Sequence, residues 1–530
     1  MSKPIDVLIV GAGPAGLATA IRLRQRLAET VPGASVAVID KSPRPGYHSL
    51  SGAAFEPACL DELVPGWRDD RRFMEHVMPV ERDEMYYLLG DKAIQVPKAV
   101  VPKGMHHIGD VTISVARLTA FLGEKAEKAG VDFYGSYSAR DLIIEDDRVA
   151  GVRLGEMGLS VHHGKKGNYR PAEEIRARVT VLADGSRGVL STQMREHFGG
   201  GKNPQVYSLG IKAVIKYPGD NAFGVNRVIH PLGYPAPNDV FGGGFIYSLD
   251  EQTVAAGLIL GLDWKYGDLN PQREFERFRK HPFIAKILHR SVTIATGART
   301  IPEGGYHSLG KLAVAGAIAV GDGAGFVNMA KIKGIHYAIL SGMAAADTLA
   351  ESLAAVGAGT DAPLHTAGYQ QRLEERGVLA DLRGARNYRQ AFKWGTIFGA
   401  PLSLVQGKLP TTLGLEPDAH GTKKGARLGR ENPGGLDGAT FVSLTGSLHR
   451  EDEPAHMQVL DPEKCISCTA DYANSCTHFC PGQVYRWDGE KIVLSASNCL
   501  HCMTCAVKCP NENILWQPPE GGEGPRFKLM

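Results

Sequence analysis

Hydrophobic positions in this chain fall into short runs divided by turns. Ile5–Val10 is a β-rich apolar run, and a helical pattern follows the glycines at 11, 13 and 16. A second strand, SVAVID, ends at Asp40. Residues 41–110 read as loop-rich, 111–135 as a helix around Arg117 to Lys128 followed by VDFYG, and 140–183 as short strands ending in VTVLADGSRG. From 205 to 262 polar and apolar positions alternate, with turn signals about every ten residues, which predicts a β-rich insertion. Residues 312–349 form another strand–loop–helix unit. Residues 391–408 are apolar and aromatic (Trp394, Ile397, Phe398, Leu402, Leu404), with Arg386, Arg389, Lys393 and Lys408 beside them. That pattern suits a segment lying in a membrane interface with basic flanks at the headgroups. It equally suits a buried helix kinked at Pro401. Residues 410–460, rich in Gly, Pro and charge, read as an extended linker. No apolar run approaches the roughly 18 residues of a spanning helix.

Composition alters this picture little. The 530 residues include 59 basic and 57 acidic side chains, so the net charge is 59 − 57 = +2. That balance argues against a nucleic-acid partner. The length suits three to four domains at roughly 150 residues each. The opening MSKPIDVLIVGAG leaves no room for a signal peptide before the first strand. Cysteine placement is more informative: eight of the nine lie between Cys465 and Cys509, with Cys59 apart. In a long chain without an export signal, such clustering points to a metal site rather than to disulfides.

The G-x-G-x-x-G of Gly11, Gly13 and Gly16 has a strand before it, a helix after it and Asp40 at the next strand end, the context of a dinucleotide site. Gly11 serves the tight turn, Gly13 the approach of a pyrophosphate and Gly16 close helix–strand packing. The helix N-terminus favours phosphate, and Asp40 is placed for a ribose. Asp322, between two glycines at a strand end, suits a ribityl or phosphate contact. The three glycines of FGGGF, within Phe241–Phe245, mark either a sheet irregularity or a close approach to the backbone.

The cysteines form two runs, Cys465-x2-Cys468-x7-Cys476-x3-Cys480-Pro481 and Cys499-x2-Cys502-x2-Cys505-x3-Cys509-Pro510. The second has ferredoxin spacing, in which the fourth cysteine of a run ligates the other cluster. That rule groups Cys499, Cys502 and Cys505 with Cys480, and Cys465, Cys468 and Cys476 with Cys509. Structural zinc prefers paired C-x2-C motifs closing one tetrahedron, so iron–sulfur fits this order better. His478 and His501 lie within the module as surface or outer-layer residues. A flavin-type site beside an iron–sulfur module implies electron transfer. With a single complete dinucleotide motif, no separate NAD(P) domain is visible, and a quinone is the natural acceptor.

The stretches DVLIVGAGPAGLATAIRL, HSLSG, FGGGFIY, TGARTIPEGGYHSLGKL, GFVNMAKIKGIHYAILSGMAAADTL, HFCPGQVY, NCLHCMTCAVKCP and PPEGGEGP resemble the electron transfer flavoprotein–ubiquinone oxidoreductase family over nearly the whole chain. The resemblance implies a mixed α/β and α+β fold. Its parts are a Rossmann-type (glutathione-reductase-like) FAD domain at 1–205 and 290–380, an inserted β-rich quinone-binding domain at 206–289, a membrane-contacting helical segment and linker at 381–455, and a C-terminal ferredoxin-like domain at 456–530. It implies FAD, a 4Fe-4S cluster on Cys480, Cys499, Cys502 and Cys505, and a ubiquinone contact at Gly242 and Gly243. Lys41, Ser51, Gly52, Arg117, Asp184, Gly185 and Gly334 complete the expected FAD set, and no catalytic acid–base residue is identified. The implied partners are electron transfer flavoprotein, ubiquinone and a membrane surface, on the cytoplasmic face of a bacterial inner membrane. The chain departs from the family pattern at Cys509, where the family carries Asp, and in holding the full set Cys465, Cys468 and Cys476, which supplies the ligands for a second 4Fe-4S cluster. It also reads GDGAGF where the family has GCSPGF. The alternative reading is a geranylgeranyl reductase-like FAD enzyme with the ferredoxin module as electron inlet. A non-enzymatic carrier requires loss of FAD, against which Gly11, Gly13, Gly16 and Asp40 stand.

Overall fold

The structure is a computed structural model that describes residues 4–52, 54–409 and 411–530; the side chain of Lys408 lies outside the described part. A parallel sheet is built on Ile5–Val10, flanked by Val36–Asp40 and then Asp132–Gly135 on one side, and by Glu174–Leu182 and then Ala317–Ala319 on the other. The first two strands are almost wholly buried and apolar but for Asp6, which pairs with buried Arg178, and the terminal Asp40, as strands covered on both faces are. Helix Pro14–Leu27 crosses over them with proline in its first turn, where the missing N–H costs nothing. It packs against helix Ile335–Val356. That second helix has the length and hydropathy of a membrane span, yet 72% of its most apolar window is buried inside the protein.

An antiparallel sheet stands beside this one. Its order is Val292–Pro302, Tyr207–Lys216, Thr253–Gly261, Gly242–Ser248, Arg227–Gly233, Arg82–Leu89 and Lys92–Gln95. The sheet therefore reaches beyond 206–289 on both sides. It takes two strands from the stretch expected to be loop, and its Arg82–Leu89 strand pairs in parallel with Arg227–Gly233. Nor does the central strand alternate as expected: Tyr207–Lys216 is buried at every position except the last. The reason is a second covered face. Val214, Phe245, Tyr247 and Ala255 pack into the core of the parallel domain, while Ala213, Ile246, Ala256 and Leu258 pack into a second core with Phe275 and Phe278 of helix Pro271–Lys280.

The cysteine module closes that second core. It has two short ribbons, Met457–Val459 with Ile514–Trp516 and Tyr485–Trp487 with Ile492–Leu494. The chain leading into it is tied down rather than extended in solvent. Asp418 accepts the Tyr207 amide, Asp268 accepts the amides of Leu428 and Gly429, and Phe441 is fully buried. Backbone groups leaving the cores must find partners, and side chains of this stretch and of the β-rich domain supply them to each other. Lys508, also buried, donates to the Trp264 carbonyl and anchors the module from its other end. The last residues run back over the parallel domain: Ser138 donates to the Pro519 carbonyl, the Gly522 amide to that of Lys41, and the Ala116 amide to that of Met530.

Candidate functional site

A cleft of about 290 Å³ opens at the carboxyl ends of the parallel strands, where open α/β sheets bind ligands. Gly11, with φ of +108°, makes the turn at its floor, and a Cβ there would lie 2.2 Å from the Ala183 carbonyl oxygen. Gly13 also lines the cleft but has open space where a Cβ would stand, the room a pyrophosphate needs. Gly16 lies below the surface, where a Cβ would strike the Gly11 carbonyl oxygen at 1.9 Å. Its task is packing, as its place in the motif predicts.

Asp40 sits at the end of its strand with both carboxylate oxygens engaged, accepting the Ala12 and Ser42 amides at 2.6 Å each. Each oxygen keeps a lone pair for a ribose hydroxyl. Ser51 and Gly52 line the opposite wall, and the Ser51 carbonyl accepts the buried Lys212 ammonium at 2.9 Å. Asp184 and Gly185 line the cleft too, but the Asp184 carboxylate caps the helix Val189–Phe198 by accepting the Leu190 and Ser191 amides. Asp322 is different. Its carboxyl meets no protein hydrogen-bond donor among the described residues, faces the cleft, and is pushed by burial up to about 6 against the pull of Arg299. Gly334 begins the long helix Ile335–Val356 at the cleft edge, a helix N-terminus suited to an anion. Arg117 is not part of the wall. It lies in the first turn of helix Val115–Lys128, its amide on the Ser114 cap and its guanidinium near Asp250.

The far wall comes from residues that sequence reasoning did not single out. Arg299, on strand Val292–Pro302, faces Asp322, Asp40 and Asp184. Met503 and Trp516 of the cysteine module, and His48, complete it. A charged residue inside the apolar strand TGARTIP was the available signal for Arg299. Met503 carried none, since its position between two cysteines already had an explanation. Through this wall the Cys499–Cys505 loop joins the cleft: the Thr300 amide donates to the Cys502 carbonyl at 3.1 Å and Arg299 to that of His501 at 3.4 Å.

Behind the wall, Cys480, Cys499, Cys502 and Cys505 are all buried and free of disulfides. Burial raises each thiol, and Cys480, Cys499 and Cys505 are raised further by their neighbouring cysteines. A site that disfavours four bare thiolates is one a bound cationic cluster relieves. The residues fit such a group. The Trp516 indole N–H and the Tyr485 hydroxyl are buried without a partner of good geometry and lie against Cys499 and Cys505. Thr504 Oγ1 stands 3.4 Å from Cys502 Sγ. His501 is fully buried behind this loop, its Nδ1 3.4 Å from Lys41 Nζ. Burial, with the Arg299 charge acting in the same direction, brings the Lys41 ammonium down to about 8. His449 and His456 pack against His501, whereas His478 is only half-buried.

Gly242 and Gly243 open strand Gly242–Ser248, and Gly243 pairs with Ile259 of the cleft wall. A small apolar group of Val327, Met329 and Tyr388, with Phe241, Ile301 and Phe392, continues from the cleft. It ends at helix Thr396–Val405, which contains Pro401 and whose first amides are held by Asn238. Trp394, Ile397, Phe398, Leu404 and Val405 there are exposed, Phe398 to 71%. Of the basic residues expected to flank this segment, Arg389 does not face outward. It is 2% exposed and paired with Glu303 and Asp263, because a charge in that core persists only when paired.

Four family models match the chain. They are the electron transfer flavoprotein–ubiquinone oxidoreductase 4Fe-4S domain at 435–528, the ETF-QO ubiquinone-binding domain at 207–301, an NAD(P)-binding Rossmann-like domain at 9–64 and an FAD binding domain at 97–207. The chain is 36% identical to the probable electron transfer flavoprotein-ubiquinone oxidoreductase of Schizosaccharomyces pombe, over 99% of this chain and 86% of that one. It is also 36% identical to the Pseudomonas aeruginosa electron transfer flavoprotein-ubiquinone oxidoreductase, over 99% and 98%. Among solved structures, a geranylgeranyl bacteriochlorophyll reductase-like protein of Thermoplasma acidophilum superposes with a TM-score of 0.56 at 19% identity, covering 78% of this chain and 93% of that one. The flavin-dependent brominase Bmp2 superposes at 0.51 and 17%, covering 76% and 90%; both show a shared fold. By its sequence over almost its full length, the chain belongs to the electron transfer flavoprotein–ubiquinone oxidoreductase family.

Proposed function

We infer that this chain is an oxidoreductase that accepts electrons from reduced electron transfer flavoprotein and delivers them to ubiquinone. The observation that carries the reading is the contact between its two halves: the Cys499–Cys505 loop supplies Met503 to the wall of the dinucleotide cleft. When bound, the cluster supplies one-electron transfer and FAD both one- and two-electron chemistry.

The chain's own residues set the stage for both. Gly11, Gly13 and Gly334 present backbone to the phosphates, Asp40 the ribose contact, and Lys41, Ser51, Gly52, Gly185 and Asp322 the remaining walls. Cys480, Cys499, Cys502 and Cys505 hold the cluster, and Thr504, Tyr485 and Trp516 offer hydrogen bonds to its sulfurs. Gly242 and Gly243, where a Cβ would strike the Ile259 carbonyl oxygen and Leu232 Cδ2, present bare backbone to a quinone ring beside Ile259. The apolar group around Met329, Tyr388 and Phe392 gives its tail a dry path to the exposed helix Thr396–Val405. That helix, with Lys393 over Trp394, suits the headgroup boundary of a membrane and supports a peripheral place on a bacterial inner membrane. The shared fold with a geranylgeranyl reductase-like protein carries no activity, and nothing at the cleft favours prenyl reduction.

The test is donor-dependent ubiquinone reduction by Cys499→Ala protein that retains its FAD. Loss of turnover is expected; intact turnover overturns the role of the cysteine loop.

A further inference from the structure

Four cysteines lie outside the group just described: Cys465 and Cys468 on helix Glu463–Tyr472, Cys476 at the start of the next short helix, and Cys509 before Pro510. The fold brings all four to one small enclosed cavity, with Asn474, Ser475, Tyr485 and Asn513 also in its wall. None is in a disulfide. Chain order alone does not produce this grouping. It requires the first run to give up Cys480 and to receive Cys509 from the second, as in ferredoxins with two clusters.

The wall is built for thiolates. Asn513 directs its backbone N–H to Cys509 Sγ at 3.4 Å and its side-chain amide to Cys465 Sγ at 3.5 Å. The Asn474 amide donates to the Cys468 carbonyl at 3.2 Å, and the Ser475 amide lies near the Cys468 thiol. The chain turns here with Ala473 and Asn474 at φ of 56° and 44°, a conformation uncommon for L-residues other than Asn, Asp and His. That turn takes up part of the seven residues between Cys468 and Cys476. Ser475 is 2% exposed, and its hydroxyl in the cavity wall has no partner among the described residues. A single zinc ion with bonds of about 2.3 Å needs sulfurs roughly 3.8 Å apart. Among the described residues the three ligand atoms grouped within 4.8 Å belong to His449, His456 and His501, and no three sulfurs meet that limit. The spread suits a larger group.

We propose that Cys465, Cys468, Cys476 and Cys509 hold a second 4Fe-4S cluster, outward of the first. Cys465 and Cys509 are partly exposed, whereas the first four ligands are all buried. Tyr485 stands between the two sets, lining the outer cavity with its ring while its hydroxyl lies against Cys505. The outer cluster is the entry point: the donor flavin loses one electron and the outer cluster gains it, with no bond made or broken. The same electron then moves inward. This inlet role rests on the function inferred above; the presence of the cluster does not.

The experiment is iron, acid-labile sulfide and zinc per FAD on full-length holoprotein purified anaerobically and reconstituted with iron and sulfide, with EPR spin counting after reduction. About eight irons and two interacting spins are expected. In Cys465→Ser/Cys468→Ser protein, iron falls to about four with one isolated spin, and flavin absorbance confirms the fold. About four irons and one spin in the wild type, or one zinc with four irons, overturns the second cluster without reference to any variant. Eight irons with no electron transfer flavoprotein-dependent turnover instead counts against the functional reading alone.

Discussion

The two cysteine sets lie in one module, and they differ in burial. Cys480, Cys499, Cys502 and Cys505 are sealed between the β-rich core and the FAD cleft, and their loop is part of that cleft. Cys465 and Cys509 reach the surface, with Leu460 and Ile466 exposed close by in sequence, each to 59%. An electron carrier needs both kinds of place. The inner one must be close to its partner cofactor and dry; the outer one must be reachable by a second protein. The same spacing rule produces both, and the surroundings make them different.

Substituting ligands breaks the comparison most sharply. Cys502→Ala is expected to abolish flavoprotein-dependent quinone reduction, at least 100-fold or about 3 kcal/mol of barrier. Cys468→Ala, which leaves the inner set whole, is expected to cost about tenfold, since a donor can still reach the inner cluster over a longer gap. Steady-state assays with the flavoprotein as varied substrate measure both; equal losses erase the distinction between an inner and an outer site. Metal removal sharpens it from another side. Under a ferrous chelator in air, iron per FAD falls first from about eight to about four. The inner EPR signal outlasts the outer one, because water and chelator reach Cys465 and Cys509 first. Simultaneous loss of both signals removes the argument from burial.

The exit end gives a smaller effect that separates it from both. A Cβ at Gly243 would come within 2.8 Å of Leu232 Cδ2 and 3.4 Å of the Pro231 carbonyl oxygen. Gly243→Val is therefore expected to lower kcat/KM for ubiquinone about tenfold, roughly 1.4 kcal/mol, with iron content and both spins unchanged. Unaltered quinone kinetics move the quinone away from this strand.

Much of this was legible in the sequence because it is local. The glycine turn, Asp40 at its strand end and the cysteine runs lie within short windows, and their chemistry sets the spacing. Pairing across the fold was not local. The strands at Arg82–Leu89 and Lys92–Gln95 lie in a stretch rich in prolines and loops, and what makes them strands is the edge offered by Arg227–Gly233. Arg389 looked like a headgroup anchor because its partners, Glu303 and Asp263, lie 86 and 126 residues away. Asp184 lines the cleft, but its carboxylate caps a helix that begins five residues later. The segment 410–460 has the composition of a linker. From residue 411 on it is held by Asp268, Tyr207 and Glu274, residues that no window around it contains.

The smallest effect is the most diagnostic of redox activity in each set. Thr504 Oγ1 lies 3.4 Å from Cys502 Sγ in a fully buried place. A hydrogen bond to a thiolate ligand favours the reduced, more negative cluster, so its loss lowers the potential. At about 1 kcal/mol for a neutral donor, the shift for a one-electron couple is about 40 mV. Thr504→Val, close in shape, is expected to lower the inner potential by about that amount and leave the outer one in place. Ser475→Ala is expected to do the reverse, by roughly half as much, because water at the partly exposed outer site replaces part of what is lost. Potentiometric titration followed by EPR resolves the two signals. A Ser475→Ala protein with an unmoved outer potential means that the hydroxyl serves the fold and not the cluster. A Thr504→Val protein in which both potentials move together means that the two sets behave as one electronic unit, and that their difference in burial does not separate their chemistry.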